Sequence, residues 1–466
     1  MPSLPLTRPV VPTAARQVGR GLLGAVASLV VCASAASAQT PRVEGPFSGL
    51  FGGTPANRQI LHQLDLRGSL FGVYQEVLEP SESQLRDLDP RFQRSGTFAG
   101  ASGALAYQYQ RIAKRATFFT RATGSGAQYT VGGNTVAVMF DGNTGFTTQL
   151  SQKISFSTNG YAGYAPFYNF NQLFSAPGTL PNAPMANDQV LPGVGFGIGA
   201  SYEPNISLGA NSSLNASISR KSRLSILGDY RTIWLTKSHT YGYNTLMAGA
   251  TYSYSITRQL SVRAGYRREV STLGAPGAGN QTTFSRNGYE LGVDYGDALT
   301  VALGRRTTLR VAPAASVVRW NNATYFRLNG SASLTHNLAR SWVATANYAR
   351  DMGFMIGFTQ PILSDTATGT LSGMLARRVR LTSGVSWTHG RIGFGDAPVM
   401  TWYTATSSLS VALNRRFALF SQYSYYLYDV PPGYWSLASV SRFARQTVNV
   451  GLTAYVPVFS TGRTRR

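Results

Sequence analysis

The chain has few of the side chains that carry metal, redox or covalent chemistry. Its 466 residues include one cysteine and four histidines. Cys32 precedes the predicted cleavage site of an export signal, so we expect the mature chain to have no disulfide, thiolate nucleophile or cysteine metal site. The histidines lie far apart in the sequence, at His62, His239, His336 and His389. No metal site and no cofactor is therefore predicted.

The chain also has no apolar run long enough for a membrane helix, which needs about 20 residues. The stretch from Gly21 to Cys32 follows a basic start and precedes the small residues Ala36-Ser-Ala38. This layout predicts a signal peptide over residues 1–38. A lipoprotein signal ending at Cys32 is the alternative, and it is disfavoured because Val31 occupies a position that needs a small residue.

What the chain does have, from about residue 97 onward, is a repeated unit of two strand-like runs joined by a tight turn carrying Arg or Lys. Longer connections rich in Gly, Asn, Pro or Tyr separate the units. Short turns at one end and longer loops at the other are typical of a transmembrane β-barrel. A soluble secreted β-sandwich or solenoid is the competing class, but soluble strands usually have only about 5–6 residues.

The last strand shows the alternation most clearly. Val448, Val450, Leu452 and Val456 fall on one face, and polar residues such as Asn449 and Thr453 fall on the other. Lipid cannot form hydrogen bonds, so the apolar face can contact lipid and the polar face can line a lumen. The pattern predicts an all-β, antiparallel, up-and-down transmembrane barrel.

Runs of this kind number about eighteen, and sixteen is the alternative count, since the first run and the run near 135–150 are the weakest. One predicted strand covers residues 288–303. The predicted organisation is a short periplasmic segment at 39–61, the barrel at 62–459 and a basic tail at 460–466. Residues 168–205 contain several prolines, which central strand positions exclude. They predict a long loop, either folded into the lumen, which is the interpretation we favour, or lying outside it.

Residues 62–459 resemble a bacterial outer-membrane β-barrel of porin size, and Asn449 to Val456 resembles the assembly signal that such proteins carry in the final strand. The family usually ends at a terminal aromatic residue, whereas Phe459 here is followed by seven more residues, Ser-Thr-Gly-Arg-Thr-Arg-Arg. The resemblance implies the outer membrane as location. It also implies outer-membrane lipid, lipopolysaccharide and the barrel-assembly machinery as partners. A looser resemblance to porins associated with exopolysaccharide systems implies an acidic polysaccharide as an alternative partner to small solutes.

Acidic residues are scarce, and the formal net charge is +23. Cleavage of the signal would remove three arginines and leave +20. Basic residues cluster in the short turns, which predicts a basic periplasmic rim: Arg115, Lys221, Arg305, Arg306, Arg378, Arg415 and Arg416. The rim can attract anions, or it can simply anchor strand ends at the lipid headgroups, which is the interpretation we favour. Nucleic-acid binding is not predicted, because the basic residues form a ring of turns and no binding module is present.

A second set of charged residues falls on the predicted lumen face of the strands. The candidates for the pore lining are Arg231, Arg263, Arg267, Arg310, Arg327, Asp229, Glu290 and Asp294. They could build a charged constriction, or they could form salt-bridged ladders that fill the barrel interior. The sequence leaves both readings open.

The sequence does not predict an enzyme. Barrel lipid hydrolases place a histidine two residues before a serine on one strand, so that the imidazole can deprotonate the hydroxyl. The residues two positions after the four histidines are Leu64, Tyr241, Leu338 and Arg391. The expected function is passive diffusion of small hydrophilic solutes, with a preference for anions. The alternatives are a barrel that serves polysaccharide export and a plugged structural or adhesive barrel; the oligomeric state is not predicted.

Overall fold

The final strand of the computed structural model has the two faces that the alternation predicts. On one face Val450, Leu452 and Val456 are 53%, 36% and 46% exposed, whereas on the other Asn449 and Thr453 are buried. Every backbone amide and carbonyl in such a strand can pair with its neighbours, so an apolar outer face is compatible with lipid. The inside–outside assignment of this strand is confirmed.

The structure describes the following residues: 60–79, 96–113, 115–129, 135–165, 168–169, 199–201, 204–236, 242–256, 260–274, 282–295, 301–304, 306–320, 323–339, 341–353, 360–394, 398–431 and 442–463. The predicted signal peptide and most of the predicted periplasmic segment lie outside these ranges, as does most of the predicted loop at 168–205. Among the residues described, no helix is long and apolar enough to cross a membrane.

Eighteen long strands form one sheet in the described part of the chain. They are β1 (Ile60–Glu79), β2 (Gly96–Ile112), β3 (Ala116–Tyr129), β4 (Thr135–Gln149), β5 (Ile154–Ala165), β8 (Asn205–Ser217), β9 (Ser222–Leu235), β10 (Gly242–Ser255), β11 (Leu260–Leu273), β12 (Thr282–Tyr295), β14 (Thr307–Trp320), β15 (Ala323–Asn337), β16 (Val343–Gly353), β17 (Ile362–Ala376), β18 (Val379–Ile392), β19 (Val399–Ala412), β20 (Phe417–Asp429) and β21 (Arg442–Arg463). Three short strands complete the set: β6 (Tyr168–Asn169), β7 (Gly199–Ser201) and β13 (Val301–Gly304).

Each long strand pairs antiparallel with the next, and β1 pairs with both β2 and β21, so the sheet closes. The closing ladder runs from Ile60 opposite Arg463 to Glu79 opposite Ala444. The prediction of an all-β, up-and-down barrel with eighteen strands is confirmed, and the alternative of sixteen is wrong. β6 and β7 pair only with each other.

The predicted strand at 288–303 is wrong in its bounds, because the structure places β12 at 282–295 and a separate strand, β13, at 301–304. The ladder between β12 and β14 has five residue pairs and ends at Tyr289 opposite Ala315. Pro313 lies two residues further along β14 and has no N–H to donate to a neighbouring strand. Near the short turns, β13 takes over the pairing with β14.

The two ends of the barrel differ in their connections. β17 and β18 are joined by residues 377–378, and β19 and β20 by residues 413–416. At the opposite end β20 and β21 are joined by residues 430–441, and β1 and β2 by residues 80–95. The end with short turns also holds both ends of the barrel sheet. In barrels of this architecture that end faces the periplasm.

Candidate functional site: the inner wall of the barrel

The outer face of the barrel exposes many large apolar side chains. Leu70, Leu246, Phe326, Leu328 and Val385 are each 58% to 67% exposed. A soluble protein rarely exposes so much contiguous apolar surface. A closed barrel with an apolar outer face is the architecture of outer-membrane proteins, in which closure leaves no strand edge exposed to lipid. The protein is an outer-membrane β-barrel.

The inner face is not uniform, and one part of it is buried. On β20 every second residue points inward, and all six of these side chains are at most 8% exposed: Ala418, Phe420, Gln422, Ser424, Tyr426 and Tyr428. On the neighbouring strand β21, Asn449, Thr453 and Tyr455 are buried as well. We call the inner faces of β20 and β21 the covered wall.

Parts of the inner faces of β10, β11, β15 and β16 are more accessible, and we call these parts the open wall. Arg263 and Arg267 on β11 point inward, since Val262 and Tyr266 between them are exposed on the lipid face. The inward positions flanking Arg267 are Gly249 and Gly288. Because glycine has no side chain, both neighbours leave space around the Arg267 guanidinium.

Three described acids on or near the open wall contact Arg231 or Arg286. Asp229 accepts a bond from Arg231 of the same strand, with 2.8 Å between Oδ1 and Nε. Arg286 on β12 lies with Nη1 3.8 Å from Glu269 and Nη2 2.8 Å from Asp351. Arg286 is almost completely buried and also donates to the carbonyl oxygen of Met352. These contacts form a salt-bridged network that extends from β11 to β16.

Sequence reasoning did not select Arg286, Glu269 or Asp351. The signal was present in part, because Glu269 lies an even number of residues after Arg263 and Arg267 on β11 and so falls on the same face of the strand. Arg286 was missed because the predicted strand began at residue 288. The residues before it that face outward, such as Ser285 and Asn287, are polar, so the strand has no apolar face at this height.

Arg327 points inward but is held by the loop between β18 and β19. Its guanidinium donates to the carbonyl oxygen of Phe394 at 3.1 Å and to that of Phe326 at 2.9 Å. The ring of Phe394 stacks on Tyr325 with 3.9 Å between ring centroids. Arg327 also lies 5.7 Å from the Tyr325 centroid and 5.6 Å from that of Phe394. Two of the five N–H donors of Arg327 are therefore used within the protein.

A second polar cluster lies where β1 meets β21, and sequence reasoning missed it. Asp65 accepts hydrogen bonds from the Tyr455 hydroxyl at 2.7 Å and from Gln63 at 2.6 Å. Arg67 lies over the Tyr455 ring, 6.0 Å from its centroid. Because these residues join the first and last strands, the cluster links the two ends of the sheet through side chains as well as through the backbone.

The remaining pore-lining candidates are placed only through their backbone. Glu290 pairs with Gly265 and Asp294 with Ser261 on β11, and Arg310 pairs with Ser333 on β15. Their side chains are outside the description. Six of the seven candidates for the basic rim are described, and all six side chains are exposed in the short connections at one end of the barrel: Arg115, Lys221, Arg306, Arg378, Arg415 and Arg416. Arg305 lies outside the described residues.

No protein-family model matches the chain, and no curated protein matches it in sequence. Solved structures of similar overall fold include OpdQ of Pseudomonas aeruginosa, with 8% identity and a TM-score of 0.41 over 86% of this chain and 98% of that one. OccAB4 of Acinetobacter baumannii has 9% identity and a TM-score of 0.41 over 86% and 100% of the two chains. The siderophore receptor PirA of P. aeruginosa has 9% identity and a TM-score of 0.40 over 87% and 81%. Similarities this weak carry no argument about function.

Proposed function

We propose that the protein is a passive channel for small hydrophilic solutes that prefers anions. The observation that carries the proposal is the closed eighteen-strand sheet with a polar, accessible inner wall on one side. Barrels of about 16–18 strands are too wide for wall side chains to fill, and they usually enclose an aqueous passage. An apolar outer face and a polar inner face are what such a passage needs in a membrane.

The preference for anions is supported by the positions of Arg263 and Arg267. Both point inward from β11, so two positive charges lie on the inner wall. A guanidinium beside a narrow aqueous path raises the local concentration of anions. The exposed arginines and lysine of the short turns would add to this field at the entrance from the periplasm.

The covered wall favours a second candidate, a barrel of restricted bore that is closed until a partner opens it. Phe420, Tyr426 and Tyr428 are as buried as residues of a protein core. An inner face that lined open water over its whole height would expose these rings. Such a barrel could serve export of an acidic polysaccharide, for which arginines on the open wall would be suitable contacts.

Planar-bilayer recording of the purified protein tests the two candidates. A passive channel gives stable conductance. In a salt gradient, an anion-preferring channel gives a reversal potential displaced toward the equilibrium potential of chloride. The variants Arg263→Gln and Arg267→Gln should each reduce this anion preference. Arg268→Gln is the matched control, because Arg268 has the same charge on the same strand and is exposed on the opposite face.

Stable conductance with cation preference would overturn the proposed anion preference, but it would still support a passive channel. Absence of conductance from a protein that remains folded, as judged by heat-modifiable migration, would overturn the open channel in favour of the closed barrel. Equal effects of the Arg267 and Arg268 variants would mean that the inner wall does not set the selectivity.

A further inference from the structure

A groove on the lipid-facing side of the barrel crosses β14 to β20 and has a volume of about 920 Å³. Two rows of paired, outward-facing residues line it. The lower row contains Leu334, Ala346, Gly369, Val385, Ala405 and Tyr425. The upper row contains Ala332, Tyr348, Ala367, Trp387, Tyr403 and Leu427. Small residues thus form the floor, and large rings stand around it.

The next row toward the loops is polar. It contains Arg350, Asp365, His389, Thr401 and Asp429. The change from rings to charges within one residue pair marks the level of the lipid headgroups, since aromatic side chains gather at that boundary. The groove therefore begins directly beneath the headgroups of the leaflet on the loop side.

The polar row is held in place by contacts to the rings below it. The Tyr348 hydroxyl donates to Asp365 Oδ1 at 2.5 Å, and Arg350 Nε lies 3.7 Å from the same oxygen. His389 lies against Trp387, with ring centroids 6.0 Å apart. The Arg350 side chain is 45% exposed, so donors of its guanidinium can bind an anion outside the barrel. Arg391, one row further toward the loops, is exposed as well.

Apolar contact alone does not fill a groove in a membrane, because lipid tails are as apolar as the side chains they would replace. The occupant of the groove is therefore determined by how well its shape fits and by the contacts of its polar group with the charged row above. A neighbouring barrel presents a broad convex wall that would meet Tyr348, Trp387 and Tyr403 before the floor. A single acyl chain is narrow enough to lie on Ala346, Ala367 and Gly369.

We propose that this groove binds a phosphorylated lipid of the outer leaflet, with one acyl chain on the floor and a phosphate on Arg350 and Arg391. Phosphate suits these side chains because a guanidinium presents paired donors to its oxygens. The proposal depends on the membrane location and not on the channel function, since every residue involved faces outward.

Native mass spectrometry of the intact barrel in mild detergent tests the site, with diphosphoryl lipid A as probe and phosphatidylcholine as the comparison lipid. Arg350→Gln with Arg391→Gln should weaken lipid A binding about tenfold, the effect of losing one or two charge-assisted hydrogen bonds. Ala346→Trp should exclude the acyl chain and weaken binding of both lipids. Arg268→Gln and Ala264→Trp, at outward-facing positions on β11, are the matched controls.

Equal binding of lipid A to the wild type, the groove variants and the controls would overturn the proposal. A dimer of the barrel that Ala346→Trp disrupts, with lipid binding unchanged, would overturn it in favour of a second copy as occupant. Heat-modifiable migration of each variant shows whether it is folded and therefore fit for comparison.

Discussion

Arg286 of β12 contacts Asp351 of β16, with Nη2 and Oδ1 2.8 Å apart, although β14 and β15 lie between their strands in the sheet. Beside this contact Phe284, Val318, Met352 and Leu363 pack together. The wall of the barrel therefore curves inward here and has a small core of its own. The almost completely buried charge of Arg286 can be tolerated only because the carboxylates of Glu269 and Asp351 lie beside it.

Replacing Arg286 by Met should destabilise the barrel by about 3 kcal/mol or more, because Glu269 and Asp351 would lose their shared cation in a buried setting. Urea-dependent folding into lipid vesicles measures this change. The Asp351→Asn variant should be less damaging in the Arg286→Met background than in the wild type. Arg350→Gln is the control, since its contact with Asp365 is exposed and should contribute at most about 1 kcal/mol. Similar losses of stability for the Arg286 and Arg350 variants would show that the Arg286 network does not stabilise the barrel more than an exposed ion pair does.

The sequence predicts the barrel well where both faces of a strand have a clear environment. On β15 the exposed Phe326 and Leu328 alternate with the inward-facing Tyr325 and Arg327, as the pattern requires. On β12 the prediction fails, because the part of the strand before residue 288 has polar residues on its outward face. Alternation indicates lipid contact, so it misses those parts of a strand that extend beyond the membrane.

The candidate site was predictable only in part for a similar reason. The alternation of apolar and polar residues predicted that Arg263, Arg267 and Arg327 face inward. The structure places all three side chains on the inner face. Their different environments depend on residues far away in sequence: Arg267 faces glycines on the adjacent strands, whereas Arg327 is bound by the Phe394 loop. No local pattern contains that information.

The two faces of β15 allow a direct test of membrane depth. Leu334→Arg should cost about 2–4 kcal/mol if residue 334 lies near the bilayer centre, because the charge would face lipid. Ser331→Arg should have a much smaller effect, since Ser331 is exposed on the inner face. Folding yield and urea stability in lipid vesicles measure both. β15 is a better choice than β21, where inward-facing Asn449 and Thr453 are buried. Equal losses would contradict the assignment of the two faces.

Phe394 should hold the loop between β18 and β19 against the inner wall. Phe394→Ala removes the stack on Tyr325, which should cost about 0.5–1.5 kcal/mol beyond the lost burial. Arg327→Gln should release the same loop, and it should change the reversal potential less than Arg267→Gln does. Protease cleavage in the 393–398 loop and bilayer recording measure the two effects. An Arg327 variant that changed selectivity as much as Arg267→Gln would mean that Arg327 acts on ions directly.

The glycines beside Arg267 allow its effect on selectivity to be tested by adding an opposite charge next to it, with Arg267 itself kept. A Cβ added at Gly288 would lie 3.8 Å from Arg267 Nε, an ordinary contact distance, so a side chain there starts without a clash and directly beside the Arg267 side chain. Gly288→Glu would place a carboxylate beside the guanidinium and neutralise its field. We expect the anion preference to fall about as much as in Arg267→Gln, while the uncharged Gly288→Gln leaves it near the wild-type value. If Gly288→Glu and Gly288→Gln give the same reversal potential, steric narrowing and not charge explains the change, and Arg267 does not attract the permeating anions.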